Sequence, residues 1–341
     1  MNRFALISAR TIAEAADAAS ATVAEAMTQA PAAADGAVVV KAGGIDLLDL
    51  LKENLLAPAK VVSLAAVPGL DTITDEAGGL RIGAMTTLAG LAQDALVRQR
   101  YPALGDAVRN SASPQLRQVA TLGGNLLQRP RCWYFRAAEY RCLRKGGGHC
   151  FAIPGENQYH AVFNNRPCAI VHPSTAATAL VALGASVELA GVQGEVRRIL
   201  LEEFFVPPER DLQRENDLKP HEILTAIRLP PPAPGTRMAH VKQGEKDSFD
   251  WPLADVAVTL ALAPDGICTR AAVVLGAAAP VPHRAAGSER ALSGRRIDAG
   301  VAALAGRAAL EGATPLAKNA YKLPLFETLV RRAVLKAAAG S

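Results

Sequence analysis

The sequence predicts an α+β chain of two or three domains, with its main boundary near residue 230. Its 341 residues suffice for two or three cores. Up to residue 229, short apolar runs typical of buried strands alternate with helix-like segments. The stretch Pro230-Pro231-Pro232-Ala233-Pro234-Gly235 can continue neither sheet nor helix and predicts a linker. Beyond it, strand-like runs are followed by helix-like segments, an order that favours a small antiparallel sheet covered by helices.

The elements before the linker follow from apolar periodicity and capping residues. Thr11, with Glu14 three residues later, forms a capping-box pattern and predicts a helix that runs to Met27. The other predicted helices are 47–54, 88–94, 103–109 and 176–185, with a loop and a short helix in 200–214. The predicted strands are 37–40, 61–64, 80–84, 187–189 and 222–229.

The elements after the linker are predicted in the same way. The strands are 239–242, 254–263 and 270–275, and the helices are 284–292, 297–309 and 321–338.

Composition excludes several classes of protein. Half of the residues are hydrophobic, a fifth are charged and the net charge is only +5, so we expect a globular protein. A nucleic-acid-binding protein would cluster its basic residues with stacking aromatic residues, and here they are scattered outside one segment. No apolar run reaches the length of a transmembrane helix. The apolar start, residues 1–7, is too short for an export signal, so we expect none.

Two glycine turns are the candidate anion site. The strand at 37–40 leads through Gly43-Gly44 into a helix, a geometry that presents bare amide groups to a phosphate. A second turn, Thr121-Leu122-Gly123-Gly124-Asn125, has similar surroundings. Each could be only a tight turn, and neither a dinucleotide fingerprint nor a P-loop pattern occurs. Together they could grip both ends of a pyrophosphate.

Four of the five cysteines fall in the polar segment 129–168, and the fifth, Cys268, lies about a hundred residues away. The four are Cys132, Cys142, Cys150 and Cys168. They could ligate an iron–sulfur cluster, hold a structural zinc, or be unrelated. Their gaps of 9, 7 and 17 residues contain no zinc knuckle, which disfavours zinc. The segment shows no helix or strand period, so we expect something other than a hydrophobic core to order it.

Other candidate residues have simpler interpretations. We interpret His149 as a surface residue or a hydrogen-bond partner of sulfur, and His160 and His172 as structural histidines. Ser174 has no nucleophile elbow around it. No carboxylate pair has a spacing typical of general acid–base catalysis. A protein that carries electrons does not need such a pair, because its cofactor supplies the chemistry.

The motifs resemble one known family. The stretches 113–117, 121–135 and 155–161, with 249–253 and 280–284 after the linker, are similar to the FAD-binding subunit of the molybdenum hydroxylases, the xanthine dehydrogenase family. The cysteine-bearing insertion resembles two branches of it, the periplasmic aldehyde oxidoreductase type and the beta subunit of 4-hydroxybenzoyl-CoA reductase. In both branches the inserted cysteines ligate a [4Fe–4S] cluster, so the resemblance implies that all four do so here. Cys268 lies in a strand-like apolar run, where a free cysteine commonly packs as a small hydrophobic residue, so we expect it not to be a ligand.

The resemblance also implies a fold and a set of cofactor residues. The fold is a two-part FAD-binding domain of the PCMH, or vanillyl-alcohol-oxidase-like, type at 1–58 and 59–229, the latter with its iron–sulfur insertion at 129–168, followed by a C-terminal flavoprotein domain at 236–341. Two positions depart from the family pattern: Ile45 stands where Thr or Ser is usual, and Thr175 where Asp is usual. The implied FAD-binding residues are Val40, Lys41, Ala42, Gly43, Gly44, Ile45, Asp46, Leu47, Ser113, Thr121, Gly123, Gly124, Asn125, Thr175 and Lys242.

The function implied is electron transfer within an oxidoreductase complex. Molybdopterin would lie on a large partner subunit and [2Fe–2S] centres on a small one, in a heterotrimer or a multimer of it. Electrons would leave this chain's FAD for an external acceptor. The aldehyde oxidoreductase type is favoured over the benzoyl-CoA reductase type, and a zinc-stabilised interaction subunit without flavin is the rival class. The complex would be cytoplasmic, or periplasmic through co-export with a partner that carries a twin-arginine signal.

Overall fold

A computed structural model describes residues 1–28, 36–246 and 249–340 and shows a mixed α and β chain with three sheets. The first sheet is parallel and has its strand from Lys60–Ser63 between Ala5–Ser8 and Val38–Lys41. Val39 and Val61 of this sheet pack in one core with the helix Ile45–Lys52. The central strand follows residue 58, so the sheet crosses the division predicted between 58 and 59.

The single helix predicted from Thr11 to Met27 is wrong, because the chain forms two helices, Ile12–Ala18 and Val23–Thr28. Thr11 does cap the first, where its hydroxyl accepts from the Glu14 amide at 3.1 Å. A second capping box begins the second helix. The Thr22 amide donates to the Glu25 carboxylate at 2.9 Å, and the Glu25 amide donates to the Thr22 hydroxyl at 3.2 Å.

The second sheet has five antiparallel strands. Their spatial order is Ile73–Glu76, Gly79–Gly83, Ile223–Leu229, Ser186–Ala190 and Val196–Leu200. The two edge strands were not predicted, because each is largely exposed and adjacent polar residues interrupt its apolar run. The helices joined to this sheet are Leu88–Gln93, Ala95–Arg100, Pro102–Arg109, Pro114–Arg117, Leu122–Leu126, Thr175–Ala182 and Leu201–Phe204.

The third sheet lies after the linker and is antiparallel, as predicted. Its spatial order is His283–Arg284, Cys268–Gly276, Ala254–Leu262 and Thr236–Gln243. Three helices cover it, Ala286–Leu292, Ala299–Ala308 and Lys322–Ala339. Cys268 is fully buried in the core between this sheet and its helices.

The cysteine segment contains only the short helices Trp133–Arg136 and Leu143–Lys145. The expectation that no hydrophobic core orders it is wrong in part. Phe135 packs into the core of the first sheet, and Phe163 packs into the core of the third. The segment is therefore held by the cores of both the first and the third sheet.

Residues near the C-terminus hold the second half of this segment. The side-chain amide of Asn319 donates to the carbonyls of His160 and Ala161 at 3.1 and 3.0 Å. The backbone N–H of Lys318 donates to the Asn157 side chain at 2.9 Å, and that of Thr314 to the Val162 carbonyl at 2.7 Å. We call these contacts, made by residues 314–322, the C-terminal clamp. Over the described residues, no helix has the length and apolarity to cross a membrane.

Candidate cofactor sites

A cavity of about 370 Å³ lies between the first and second sheets, and both glycine turns line it. This volume is in the range of small-molecule and cofactor clefts. Eleven of the fifteen predicted cofactor residues line the cavity: Val40, Ala42, Gly43, Gly44, Ile45, Asp46, Leu47, Thr121, Gly123, Gly124 and Asn125. The structure therefore brings together two turns that lie about eighty residues apart.

The first turn offers open amide groups. Gly44 has a φ of 90°, a conformation that favours glycine, and directly precedes the helix Ile45–Lys52. A Cβ on Gly43 would lie 2.1 Å from the Val119 carbonyl oxygen, so glycine is needed where the two turns meet. The first amides of a helix have no partner within it, and the residues that carry them here, 45–47, line the cavity. The positive end of the helix dipole adds to their attraction for an anion.

The second turn differs, because its amides already have acceptors in the protein. The Gly123 N–H donates to the Ala84 carbonyl at 2.8 Å, and the Gly124 N–H donates to the Thr121 hydroxyl at 3.2 Å. The Asn125 N–H donates to the Thr121 carbonyl at 2.8 Å. The glycines of the second turn thus contribute a close surface without side chains rather than free donors.

Two predicted cofactor residues lie beside the cavity without lining it. Lys41 extends under Gly44 and donates to the Ala42 carbonyl at 3.2 Å. Thr175 is buried at the start of its helix. Its neighbour Ser174 donates to the Asn125 side-chain oxygen at 2.6 Å, which fixes a residue that does line the cavity.

The other two have local structural contacts. The Ser113 hydroxyl caps the helix Pro114–Arg117 and accepts from the Leu116 amide at 3.3 Å. The Lys242 ammonium donates to the carbonyls of Asn110 and Asp250 at 2.8 and 2.6 Å.

Several lining residues gave no signal in the sequence. Segments 19–24 and 214–224 line the cavity but contain neither a glycine turn nor a known motif. Trp251 is half exposed at the same cavity, with the Arg131 guanidinium 4.9 Å from its ring centre. In the sequence, the stretch 249–253 showed only a resemblance to the family and no sign of a binding site.

The four clustered cysteines line one small second cavity. None of them forms a disulfide. A hydrogen bond from the Cys168 thiol lowers the pKa of Cys150 to about 5, whereas burial raises the pKa of Cys132 to about 12. Among the residues that the structure describes, no three His, Cys, Asp or Glu side chains are placed to hold a metal ion.

His160, rather than His149, contacts a cysteine sulfur. The His160 Nε2 lies 3.2 Å from the Cys132 Sγ, and burial lowers the pKa of His160 to about 4. A neutral His160 can donate to that sulfur. His149 is exposed and packs on Phe151, with ring centres 4.2 Å apart. His172 is buried and accepts from the Ser174 amide at 3.3 Å, as expected for a structural histidine.

The cysteine segment is tied to the first helix of the large cavity by ion pairs. Arg131 and Arg136 both contact the carboxylates of Asp46 and Asp49, at 2.6 to 3.0 Å. Asp46 also accepts from the Arg129 amide at 2.8 Å. Asp46 lines the large cavity, as expected of a cofactor residue, and its carboxylate also positions the segment that carries the cysteines.

A buried carboxylate also joins the walls of the two cavities. Glu215, which is 5 % exposed, contacts Arg129 Nε at 2.9 Å and Arg144 Nη1 at 2.7 Å. Arg129 lines the large cavity and Arg144 lines the cysteine cavity. We call these three residues the Arg–Glu–Arg triad. The arrangement suits an anionic ligand on one side and a thiolate-bound group on the other.

Comparison with known proteins agrees with this geometry. Residues 3–232 match the FAD binding domain in molybdopterin dehydrogenase, and residues 239–337 match the CO dehydrogenase flavoprotein C-terminal domain. The chain is 38% identical over 255 residues to the aldehyde oxidoreductase FAD-binding subunit PaoB of Escherichia coli (strain K12), covering 74% of this chain and 78% of that protein. It is 27% identical to the carbon monoxide dehydrogenase medium chain of Hydrogenophaga pseudoflava, covering 86% of each.

Among solved structures, the fold is similar to a chain of reconstituted CO dehydrogenase from Oligotropha carboxidovorans. The TM-score is 0.74 at 23% identity, over 100% of this chain and 99% of that one. At this identity the similarity concerns the fold.

Proposed function

This chain belongs to the family of FAD-binding subunits of molybdopterin dehydrogenases, and we propose that it is the FAD- and [4Fe–4S]-binding electron-transfer subunit of a molybdenum-containing aldehyde oxidoreductase. The observation that carries the proposal is the pairing of two cavities in one chain. One is lined by two glycine turns and the other by four free cysteines, and a shared buried wall separates them.

The large cavity suits the diphosphate and rings of FAD. Open amides at the start of the helix Ile45–Lys52 would bind a phosphate, and Gly124 would let the second turn approach it closely. Bound FAD supplies the chemistry of accepting and releasing electrons singly or in pairs. The residues around it bind it, orient it and keep water away. The fifteen residues named from the sequence remain the proposed set, of which Ser113 and Lys242 have the weakest structural support.

The small cavity suits an iron–sulfur cluster in its donor set. Four thiols with irregular spacing are gathered by the fold, and none is engaged in a disulfide. His160 would donate a hydrogen bond to the Cys132 sulfur, and Tyr134 and Phe135 would exclude water. Cys268 is buried in another core and is not part of the proposed ligand set.

The likeness to the FAD-binding subunit PaoB supports an aldehyde-oxidising complex. Its partners would be a large molybdopterin-binding subunit and a small [2Fe–2S] subunit, in a heterotrimer or a multimer of it. The two-part PCMH-type architecture belongs to the same proposal. The complex would work in the cytoplasm, or in the periplasm after co-export with a partner.

The proposal can be tested on the complex purified after co-expression with its partner subunits. We expect one FAD per chain, and about four iron and four sulfide more than the partners carry alone. Adding an aldehyde without an electron acceptor should bleach the flavin absorbance. Zinc in place of the additional iron would support the rival interaction subunit, and absence of flavin would refute the electron-transfer role.

A further inference from the structure

The Arg–Glu–Arg triad is deeply buried and carries an excess positive charge. Arg129, Arg144 and Glu215 are 2, 1 and 5 % exposed. Two guanidinium groups and one carboxylate leave one net positive charge away from water. A buried charge is costly unless it is paired, so an arrangement of this kind needs further anionic partners.

Both arginines have nitrogen atoms left for such partners. Within the described part of the chain, Arg129 Nη1 and Arg144 Nη2 are buried without a hydrogen-bond acceptor. Arg129 Nη2 donates to the Gln213 carbonyl at 3.0 Å, and Arg144 Nη1 donates to the Arg214 carbonyl at 3.3 Å. The Arg144 guanidinium also interacts with the Cys168 side chain. Burial lowers the pKa of Arg144, but its carboxylate partner and Cys168 together raise it above its ordinary value. Each of these side chains lines its own cavity, Arg129 the large one and Arg144 the cysteine one.

We propose that the Arg–Glu–Arg triad sets the reduction potentials of both cofactors, with Arg144 acting on the cysteine cavity, Arg129 acting on the large cavity and Glu215 moderating both. This inference rests on the proposed function. A cofactor becomes more negative when it is reduced, so a nearby buried positive charge favours reduction and a buried negative charge opposes it. These fixed charges act strongly because water does not screen them.

The sign of the effect distinguishes this role from a purely structural one. Arg144→Gln removes a positive charge and should shift the midpoint potential of the cluster downward, with a smaller downward shift for the flavin. Arg129→Gln should show the reverse ranking. Glu215→Gln removes the negative charge with little change in shape and should shift both potentials upward.

The experiment is a redox titration of the purified complex, with the flavin followed by absorbance and the cluster by electron paramagnetic resonance. Arg141→Gln is the matched control, because Arg141 belongs to the same segment but is exposed. We expect its potentials to equal those of the wild type. The inference is overturned if Glu215→Gln shifts the potentials in the same direction as the arginine variants, or if none of the three variants shifts them.

If Arg144→Gln or Arg129→Gln loses a cofactor, Arg144→Lys and Arg129→Lys separate the role of charge from that of shape. These variants keep the positive charge and change the shape of the side chain. If they retain both cofactors with potentials near those of the wild type, the role of charge is supported. If they lose cofactors as well, the triad is structural and the inference fails. A wild-type complex without flavin or cluster refutes the proposed function instead, so the two failures are distinguishable.

Discussion

Replacing Gly124 with alanine isolates the contribution of the second glycine turn to FAD binding. Gly124 is the third residue of its helix, after the capping residue Thr121, and its backbone φ does not require glycine. An added Cβ would lie 3.0 Å from the Thr121 hydroxyl oxygen and 3.8 Å from the Ala42 Cβ, and both of these residues line the large cavity. The methyl group would therefore occupy the surface that the ligand is proposed to approach.

The size of the effect follows from overpacking. A methyl group forced into a well-packed contact costs about 1 to 3 kcal/mol. If the whole of that cost falls on the bound state, the Kd for FAD rises by about 5- to 160-fold. The free protein should be nearly as stable as the wild type, because alanine is favoured over glycine in a helix by roughly 1 kcal/mol, which offsets the tight contact with Thr121.

The chain supplies a matched control in Gly90. It is also the third residue of a helix, its amide donates to the capping hydroxyl of Thr87 at 3.1 Å, and an added Cβ would lie 3.3 Å from that oxygen. Gly90 is exposed and does not line the cavity. The assay is titration of flavin-free protein with FAD, followed by flavin fluorescence, together with urea unfolding of the free protein.

We expect Gly124→Ala to weaken binding and Gly90→Ala to leave it unchanged, with similar unfolding free energies for both. A Gly124→Ala protein that binds FAD within about twofold of the wild type, well below the range expected from overpacking, would refute the close-approach argument. Equal losses of binding in the two variants would assign the effect to the helix start instead of the cavity.

Three further predictions concern the cysteines, a buried lysine and export. Replacing any one of the four clustered cysteines with serine should remove about four irons per chain and expose 129–168 to limited proteolysis. Cys268→Ala should retain the full iron content. Iron and sulfide analysis of each variant measures the loss. Burial lowers the pKa of Lys322 from 10.5 to about 7, so between these values the unfolded state binds a proton that the folded state does not. The free energy of unfolding should therefore rise with pH across that window by at most about 1.4 kcal/mol per pH unit, and urea unfolding of Lys322→Met should lack this rise. A rise of the same slope in the variant would show that another group causes it. Expressed alone, the subunit should remain in the cytoplasm on cell fractionation, and its appearance in the periplasm without partners would contradict co-export.

The glycine turns and the cysteine segment could be identified from the sequence because each needs a particular residue type. At position 43 only glycine fits, because a Cβ there would lie 2.1 Å from the Val119 carbonyl oxygen. Only cysteine supplies a thiolate. The family likeness then predicted that the four thiols act together. The fold places them around one cavity, and their joint role stays a prediction.

Other parts of the site carry no local signal. Glu215 lies in an irregular loop, and its partners Arg129 and Arg144 lie 86 and 71 residues away in the chain, so only the folded structure reveals their pairing. The edge strands Ile73–Glu76 and Val196–Leu200 were not predicted because polar residues, Thr74 to Glu76 in one and Arg197 and Arg198 in the other, leave no continuous apolar run. The break between Ala18 and Val23 was missed because both flanking segments are rich in alanine, which suits a helix on either side.

The C-terminal clamp determines when the cysteine segment can acquire its final shape. Asn319 and Lys318 bond to His160, Ala161 and Asn157, which precede them by about 160 residues. During translation, Cys132 to Cys168 therefore leave the ribosome well before the residues that hold them have been made. The contacts that hold residues 157–162 can form only after residues 314–322 exist, because such long-range contacts need the intervening chain. In the proposed function, delivery of iron and sulfide would therefore follow the synthesis of residues 314–322, and a chain that lacks them would be a poor recipient.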